Sequence, residues 1–75
     1  MDFKHSDKYR KLGLNIAYYR KDRGFTQERV AEQLDIDRTT IGKIETASSG
    51  VSVDLLFDLA DLFEVSVAKF FEFRD

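Results

Sequence analysis

The chain has 75 residues, a length that allows one hydrophobic core and no separate catalytic or ligand-sensing domain. It contains no cysteine, which excludes disulfides and thiolate metal sites, and neither a leader nor an apolar run of about 18 residues supports secretion or membrane insertion, so we expect a cytoplasmic protein. The net charge of -2 argues against a nucleic-acid partner, but residues 1–45 carry ten lysines and arginines against eight acidic residues, so the excess acid lies in the C-terminal part and a local basic face is compatible with the sequence.

The first predicted element is an amphipathic helix from Asp7 to about Arg23. Residues 1–6 show no periodicity, and we expect them to form a disordered tail ahead of a single domain at residues 7–75. The apolar positions of the helix recur at helical spacing: Leu12, Ile16 and Tyr19. Gly24 follows a last turn that is rich in basic residues, which indicates a left-handed cap at the end of this helix.

Two short helices are predicted next, with a tight turn between them. Thr26 is placed to cap the second helix, which ends near Leu34, and Asp37 is placed to cap the third, which runs to Glu45. Their buried faces consist of apolar residues at helical spacing: Val30, Ala31, Leu34, Ile41 and Ile44. Two helices joined in this way form an element whose second helix can enter a DNA major groove.

Two further helices complete the predicted fold. A loop of small residues at 46–51 precedes Ser52, which caps a fourth helix, and Ser66 caps a short fifth helix. The apolar residues of these two helices are Leu56, Leu59, Ala60, Phe63, Val67, Phe70 and Phe71. Because no strand-like alternation competes with the helical periodicity, we predict an all-α protein folded as a compact five-helix bundle.

Three blocks of residues carry a resemblance to a known family, which covers roughly positions 12–71. They read Arg20-x-x-x-Gly24-Phe25-Thr26-Gln27-Glu28-x-Val30-Ala31, then Ile36-Asp37-Arg38-Thr39-Thr40-Ile41-x-x-Ile44-Glu45, then Leu56-x-x-Leu59-Ala60 with Val65-Ser66. This pattern resembles the Cro/C1-type helix-turn-helix regulators, the XRE family, and the start of the third helix is similar to that of restriction–modification controller proteins within it. The resemblance implies a lambda-repressor-like DNA-binding domain.

The resemblance also implies roles for individual residues. Gln27 would contact a DNA phosphate, and an ion pair between Arg20 and Glu45 would join the first helix to the third. Four residues of the third helix would approach base edges or the DNA backbone: Arg38, Thr39, Thr40 and Lys43. The chemistry agrees, because a glutamine amide at a helix N-terminus suits a phosphate, and arginine can bond to guanine O6 and N7 together. Without the family pattern, such basic residues are more typical of a solvated helix face.

Three features depart from the family pattern. Asp35 stands where the family's turn usually carries glycine, although a short polar side chain tolerates the left-handed conformation. The loop at 46–51 reads Thr-Ala-Ser-Ser-Gly-Val, where the family usually has a glycine and a proline, so loop contacts to DNA are not carried over. Gly42 inside the third helix costs up to about 1 kcal/mol relative to alanine. It either allows a close approach to DNA or is simply tolerated.

The apolar residues near the C-terminus exceed the number that the predicted core needs. The surplus and its neighbours are Leu55, Leu62, Phe70, Phe71 and Phe73. An exposed apolar patch usually marks a binding surface, and self-association would compensate for a small core, so we predict a homodimer interface there. The alternative is that some of these side chains only cover the edge of the core.

The remaining residues that could bind a metal, catalyse a reaction or stack on nucleotides indicate no further site. His5 is the only histidine, lies in the expected tail and has no second soft ligand nearby, so neither a metal site nor a histidine base is predicted. Tyr9, Tyr18 and Tyr19 fit core or half-buried positions better than stacking on nucleotides. The sequence shows no catalytic set and no glycine-rich phosphate loop, so we predict no enzyme activity, cofactor or small-molecule effector.

Two functions from different classes fit these observations. The first is a sequence-specific transcriptional regulator, a repressor rather than an activator, that binds double-stranded DNA as a homodimer on a pseudo-palindromic operator. The second is an antitoxin-like interaction module, in which the C-terminal apolar surface binds and neutralises a partner protein. A stable homodimer that needs no partner for solubility favours the first.

Overall fold

Four α-helices make up most of the fold. They are α1 (Ser6–Asp22), α2 (Gln27–Leu34), α3 (Arg38–Glu45) and α4 (Val53–Phe63), in a computed structural model that describes residues 4–73. A 3-10 helix, Val67–Phe71, follows α4. No strand occurs within residues 4–73, so the predicted all-α class is confirmed.

The prediction of a fifth α-helix is wrong, because the last element is the 3-10 helix. It has five residues, and short helical segments commonly close with the tighter hydrogen bonds of this geometry. The N–H of Lys69 donates to the carbonyl of Ser66 at 2.9 Å, a bond to the third residue back as in a 3-10 helix. At the other end, the Asn15 side chain on α1 donates to the carbonyls of Phe70, at 2.9 Å, and Glu72, at 3.2 Å. These bonds occupy carbonyls that a continuing helix would need.

Polar side chains begin four of the five helical elements, as the sequence predicted. The side chains of Thr26, Asp37, Ser52 and Ser66 each accept a hydrogen bond from a backbone N–H in the first turn that follows. Each bond satisfies one of the N–H groups that a helix start leaves without a partner. The predicted boundaries of α2 and α3 are therefore confirmed.

The first helix begins at Ser6, one residue earlier than predicted, so the last residue of the predicted tail is helical. Residues 1–3 of that tail lie outside the described residues. In the first turn, Asp7 accepts a hydrogen bond from Arg10 at 2.9 Å and lies 3.4 Å from the Lys11 ammonium. The hydrogen bond from Arg10, followed by that from Lys11, lowers the pKa of Asp7 from its ordinary value.

Left-handed residues end the α-helices, and glycine supplies only the first of them. Gly24, with φ of +79°, follows α1 as predicted, and the N–H of Phe25 reaches back to the carbonyl of Arg20 at 3.0 Å. Asp35 after α2 has φ of +54°, which confirms that it adopts the left-handed conformation expected of the turn. Ala47 and Glu64 take the same conformation, with φ of +60° and +58°. Each α-helix ends at or just before such a residue, because a left-handed residue turns the chain away from the helix axis.

Ala47→Gly is expected to raise the free energy of unfolding by about 0.5 to 1 kcal/mol, because the left-handed backbone strains alanine more than the added freedom of glycine destabilises the fold. Ala68→Gly makes the same chemical change in the 3-10 helix, at a residue without positive φ, and should lower the free energy of unfolding. Urea denaturation followed by circular dichroism measures both. Destabilisation of similar size in the two variants would contradict the role assigned to Ala47.

The core lies where all four α-helices and the 3-10 helix meet. Its buried apolar side chains are Leu12, Ile16, Val30, Ala31, Ile41, Ile44, Leu56, Leu59, Ala60, Phe63 and Phe70. The predicted core stripe of α4 is therefore confirmed, and the ring of Phe63 packs between those of Phe25 and Phe70, at centroid distances of 5.8 and 6.3 Å. Tyr9 and Tyr19 are half-buried against this core as predicted, whereas Tyr18 is 49% exposed.

A close approach at Gly13 fixes the position of α3 relative to α1. A Cβ atom added to Gly13 would lie 2.6 Å from the carbonyl oxygen of Ile44 and 2.7 Å from that of Glu45. The backbone at the end of α3 therefore occupies the space of a side chain on α1. Periodicity did not indicate this contact, since a glycine within a helical pattern shows nothing of what packs against it.

Candidate nucleic-acid interface

The third helix presents a polar outer face on an apolar base. Ile41 and Ile44 are buried, with exposures of 1% and 4%, and they hold the inner side of α3 in the core. Arg38, Thr39 and Lys43 are exposed, while Thr40 is half-buried. Three of the four α3 residues predicted to face DNA are thus on the surface, and Thr40 offers only part of its side chain.

A buried ion pair anchors the end of α3 to α1, as the family resemblance implied. The Arg20 Nε and Nη2 atoms donate to the two Glu45 carboxylate oxygens at 2.6 and 3.1 Å, and Arg20 Nη1 donates to the carbonyl of Phe25 at 2.8 Å. The side chains of Arg20 and Glu45 are 9% and 7% exposed. A paired arginine fork fixes orientation as well as distance, so α3 is held by this pair and by the Gly13 contact.

Gln27 belongs to the same hydrogen-bonded group. Its side-chain Nε2 donates to Glu45 Oε1 at 2.9 Å, which places an α2 residue in contact with the end of α3. Because a primary amide has two N–H donors, one of them stays available for the predicted phosphate contact. The sequence analysis missed the bond to Glu45, since nothing in the spacing of these two residues indicates it. We refer to Arg20, Glu45 and Gln27 as the anchor network.

The two basic side chains of α3 are not engaged within the described part of the protein. Among residues 4–73, neither Arg38 nor Lys43 forms an ion pair, whereas Arg29 on the neighbouring α2 lies 3.5 Å from the Glu32 carboxylate. Asp37 is next to Arg38, but it accepts the N–H of Thr39 as the cap of α3. Two uncompensated cations on an exposed helix suit a polyanionic partner.

A family model described as helix-turn-helix matches residues 16–70. The chain belongs to the helix-turn-helix family. Its type within that family, Cro/C1 or XRE, is the one that the sequence resemblance indicated. The matched residues include α2, the turn, α3 and α4, and all but the last residue of the 3-10 helix. In this helix-turn-helix protein, α3 is therefore the second helix of the motif.

Known relatives agree with this assignment. An uncharacterized HTH-type transcriptional regulator of Methanocaldococcus jannaschii is 35% identical over 60 residues, which are 80% of this chain and 91% of the relative. The restriction–modification controller protein C.AhdI from Aeromonas hydrophila superposes with a TM-score of 0.82 at 25% identity, over 87% of this chain and 98% of that one. The DNA-binding domain of BldD gives a TM-score of 0.78 at 25% identity, over 87% and 94%. The fold is thus a DNA-binding, helix-turn-helix regulator fold.

The C-terminal surface differs in part from the predicted interface. Phe70 has 0% exposure and packs in the core, so it has no surface to offer a partner and its assignment to an interface is wrong. Leu55, Leu62 and Phe73 are half-buried against the core, and Phe71 is 50% exposed. The sequence analysis missed Val53 and Phe57, which are 61% and 50% exposed on α4. The sequence did contain one indication that Val53 and Phe57 are exposed, because both fall outside the predicted buried stripe of α4.

An apolar groove is lined by two of these exposed side chains, Val53 and Phe71. It has a volume of about 420 Å³ and runs between the start of α1, the start of α4 and the 3-10 helix. Its apolar walls include Tyr9, Leu12, Val51, Val53, Leu56, Phe71 and Phe73, and His5 and Lys8 lie at the α1 end. The groove lies on residues outside α2 and α3, so its lining is separate from the helix-turn-helix motif.

Residues 4–73 contain neither a metal cluster nor a membrane-spanning helix. Within residues 4–73, no group of three histidine, aspartate or glutamate side chains is arranged to hold a metal ion. None of the helices described there has both the length and the apolar character of a membrane span. The exposed and unpaired cations Arg38 and Lys43 make the outer face of α3 the candidate site.

Proposed function

We propose that this helix-turn-helix protein is a sequence-specific transcriptional regulator that binds double-stranded DNA through the outer face of α3. The observation that carries the proposal is the pair of uncompensated cations, Arg38 and Lys43, on a helix whose inner side is held by the core and the anchor network. In this arrangement Arg38 reads a base edge, Thr39 and Lys43 contact bases or backbone, and Gln27 contacts a phosphate with its second amide N–H.

The proposed active form is a homodimer. Val53, Phe57 and Phe71 expose apolar side chains at the surface, and Val53 and Phe71 also line the groove. Burying them against a second copy removes this apolar area from water and relates the two α3 helices by a two-fold axis. Two such helices enter successive major grooves when they are about 34 to 36 Å apart. A pseudo-palindromic operator is the expected target.

We propose repression as the mode of regulation, in the cytoplasm. Occupying a promoter is sufficient to exclude the transcription machinery, whereas activation needs a further contact surface for that machinery. Selection of bound sequences from a random duplex pool tests DNA binding, sequence preference and two-fold symmetry together. Recovery of no enriched sequence, with no duplex retained at low salt, would rule the proposal out.

Arg38→Ala and Gln27→Ala are expected to weaken DNA binding in different ways. Loss of Arg38 should cost on the order of 1 to 3 kcal/mol and relax the preference at one base position of each half-site, because a base contact is removed. Loss of Gln27 should weaken binding to all sequences by a similar factor, because a phosphate contact carries no sequence information. Fluorescence anisotropy with the selected duplex and its single-base variants measures both.

Gln27→Ala also removes a hydrogen bond to Glu45, so both variants need to be measured at a temperature where circular dichroism shows them folded. Glu32→Ala, at an exposed position of α2, is the control and should bind like the parent protein. Equal losses from Arg38→Ala and Gln27→Ala on every duplex would contradict the division between base reading and phosphate contact.

A further inference from the structure

Gly42 lies in the middle of α3, where neither backbone conformation nor helix formation calls for glycine. Its φ is not positive, in contrast to that of Gly24. Glycine is less favourable than alanine inside a helix, because it loses more conformational freedom on folding. The stability of α3 alone would therefore favour alanine at this position.

Packing inside the protein does not call for glycine at position 42 either. A Cβ atom added there would meet Gln27 Oε1 as its nearest neighbour, at 3.9 Å, which is an ordinary van der Waals distance. At Gly13 the same atom would lie 2.6 Å from a backbone oxygen. The protein thus contains one helical glycine that its own packing requires, Gly13, and one that it does not, Gly42. No contact within residues 4–73 accounts for the glycine at position 42.

The missing side chain leaves a gap in the DNA-facing surface of α3. Gly42 lies one helical turn after Arg38 and Thr39 and directly before Lys43, and these three side chains are exposed. Gln27 of the anchor network lies beside the gap. A group that enters between these side chains can reach the α3 backbone itself, since no Cβ stands in the way.

The hydrogen-bonding groups of Gly42 are already used, which limits what can fill the gap. Its carbonyl accepts both the N–H and the Oγ1 hydroxyl of Thr46, at 3.1 and 2.9 Å. Its N–H belongs to the interior of α3, where it takes part in the helix ladder. What remains is the apolar surface of the Cα atom. In a major groove, the apolar group of a base edge is the C5-methyl of thymine.

We propose that Gly42 is a specificity-determining residue, whose missing side chain accommodates the C5-methyl group of one thymine in each operator half-site. This inference rests on the proposed function, because it requires α3 to lie in the major groove. The methyl group occupies the space of a Cβ atom and contacts the helix backbone directly. Arg38 and Lys43 then carry the polar contacts on either side of it.

The test compares the parent protein with Gly42→Ala on the selected operator and on duplexes in which single thymines are replaced by deoxyuridine. Deoxyuridine lacks only the C5-methyl group. We expect Gly42→Ala to melt at a higher temperature and to bind the thymine operator about tenfold more weakly, because its methyl group competes with that of the base. Replacing the relevant thymine with deoxyuridine should restore most of the lost affinity.

Gly50→Ala is the matched control, since it adds the same methyl group in the loop after α3, where the nearest atom is also 3.9 Å away. It should leave the affinity for both duplexes unchanged. Unchanged affinity of Gly42→Ala, a lower melting temperature, or equal weakening on every deoxyuridine duplex would each overturn the inference. If the parent protein binds no duplex, the proposed function itself fails, and the two failures are therefore distinguishable.

Discussion

Glu45→Ala is expected to lower the free energy of unfolding by about 3 to 5 kcal/mol, because it leaves the Arg20 guanidinium buried without its counter-ion. Glu45 accepts two hydrogen bonds from Arg20 and one from Gln27, and the two charged side chains are 9% and 7% exposed. Losing all three bonds also releases the end of α3 from α1 and α2. Urea denaturation followed by circular dichroism gives the change in stability.

A surface ion pair in the same protein serves as the control for Glu45→Ala. Glu32 lies 3.5 Å from Arg29 on α2, and these side chains are 69% and 61% exposed. Solvent screens such pairs, so Glu32→Ala should change the free energy of unfolding by less than about 1 kcal/mol. Comparable losses of unfolding free energy in the two variants would show that burial does not determine how much the anchor network stabilises the protein.

Gly13→Ala is expected to destabilise the protein by about 2 to 3 kcal/mol, even though alanine is the better helix former. The added methyl group would lie 2.6 and 2.7 Å from the carbonyl oxygens of Ile44 and Glu45, and backbone atoms cannot move aside as a flexible side chain can. The helices α1 and α3 must separate to admit it. We therefore also expect weaker binding to the selected duplex, since α3 is displaced.

Comparing Gly13→Ala with Gly42→Ala separates the effect of packing at Gly13 from the effect of helix propensity, which is the same in both variants. Both substitutions are made inside an α-helix, and only the surroundings of the new methyl group differ. Thermal melts should shift in opposite directions, downward for Gly13→Ala and upward for Gly42→Ala. A rise in melting temperature for Gly13→Ala would mean that the contact between α1 and α3 is looser than the geometry indicates.

Local signals in the sequence were sufficient for the starts of α2, α3 and α4 and for the buried positions of α3 and α4. Thr26, Asp37 and Ser52 cap helices because their oxygens accept N–H groups two or three residues further along the chain, so the neighbouring sequence contains the information. The buried positions of α3 and α4 follow from helical spacing alone. The pairing of Arg20 with Glu45 came from the family resemblance, since spacing does not connect residues on separate helices.

The features that the sequence analysis missed depend on contacts between distant segments. Phe70 was assigned to an interface, but the 3-10 helix turns it into the core, where it packs near Phe63 and Tyr19. The contact at Gly13 depends on the point at which α1 crosses α3. The spacing of apolar residues along one helix contains no information about that point. For Phe70 and Gly13, the tertiary arrangement therefore decides the role of the residue. Phe57 differs, because its exposure follows from its position outside the predicted buried stripe of α4.

The two hydrogen bonds from Asn15 join segments that are 55 and 57 residues apart in sequence. The first helix therefore lacks these partners until residue 72 has left the ribosome, and Phe70 fills its place in the core equally late. A contact between two segments can form only once both of them have been synthesised. The contact between α1 and the C-terminal segment is therefore among the last tertiary contacts that the growing chain can make.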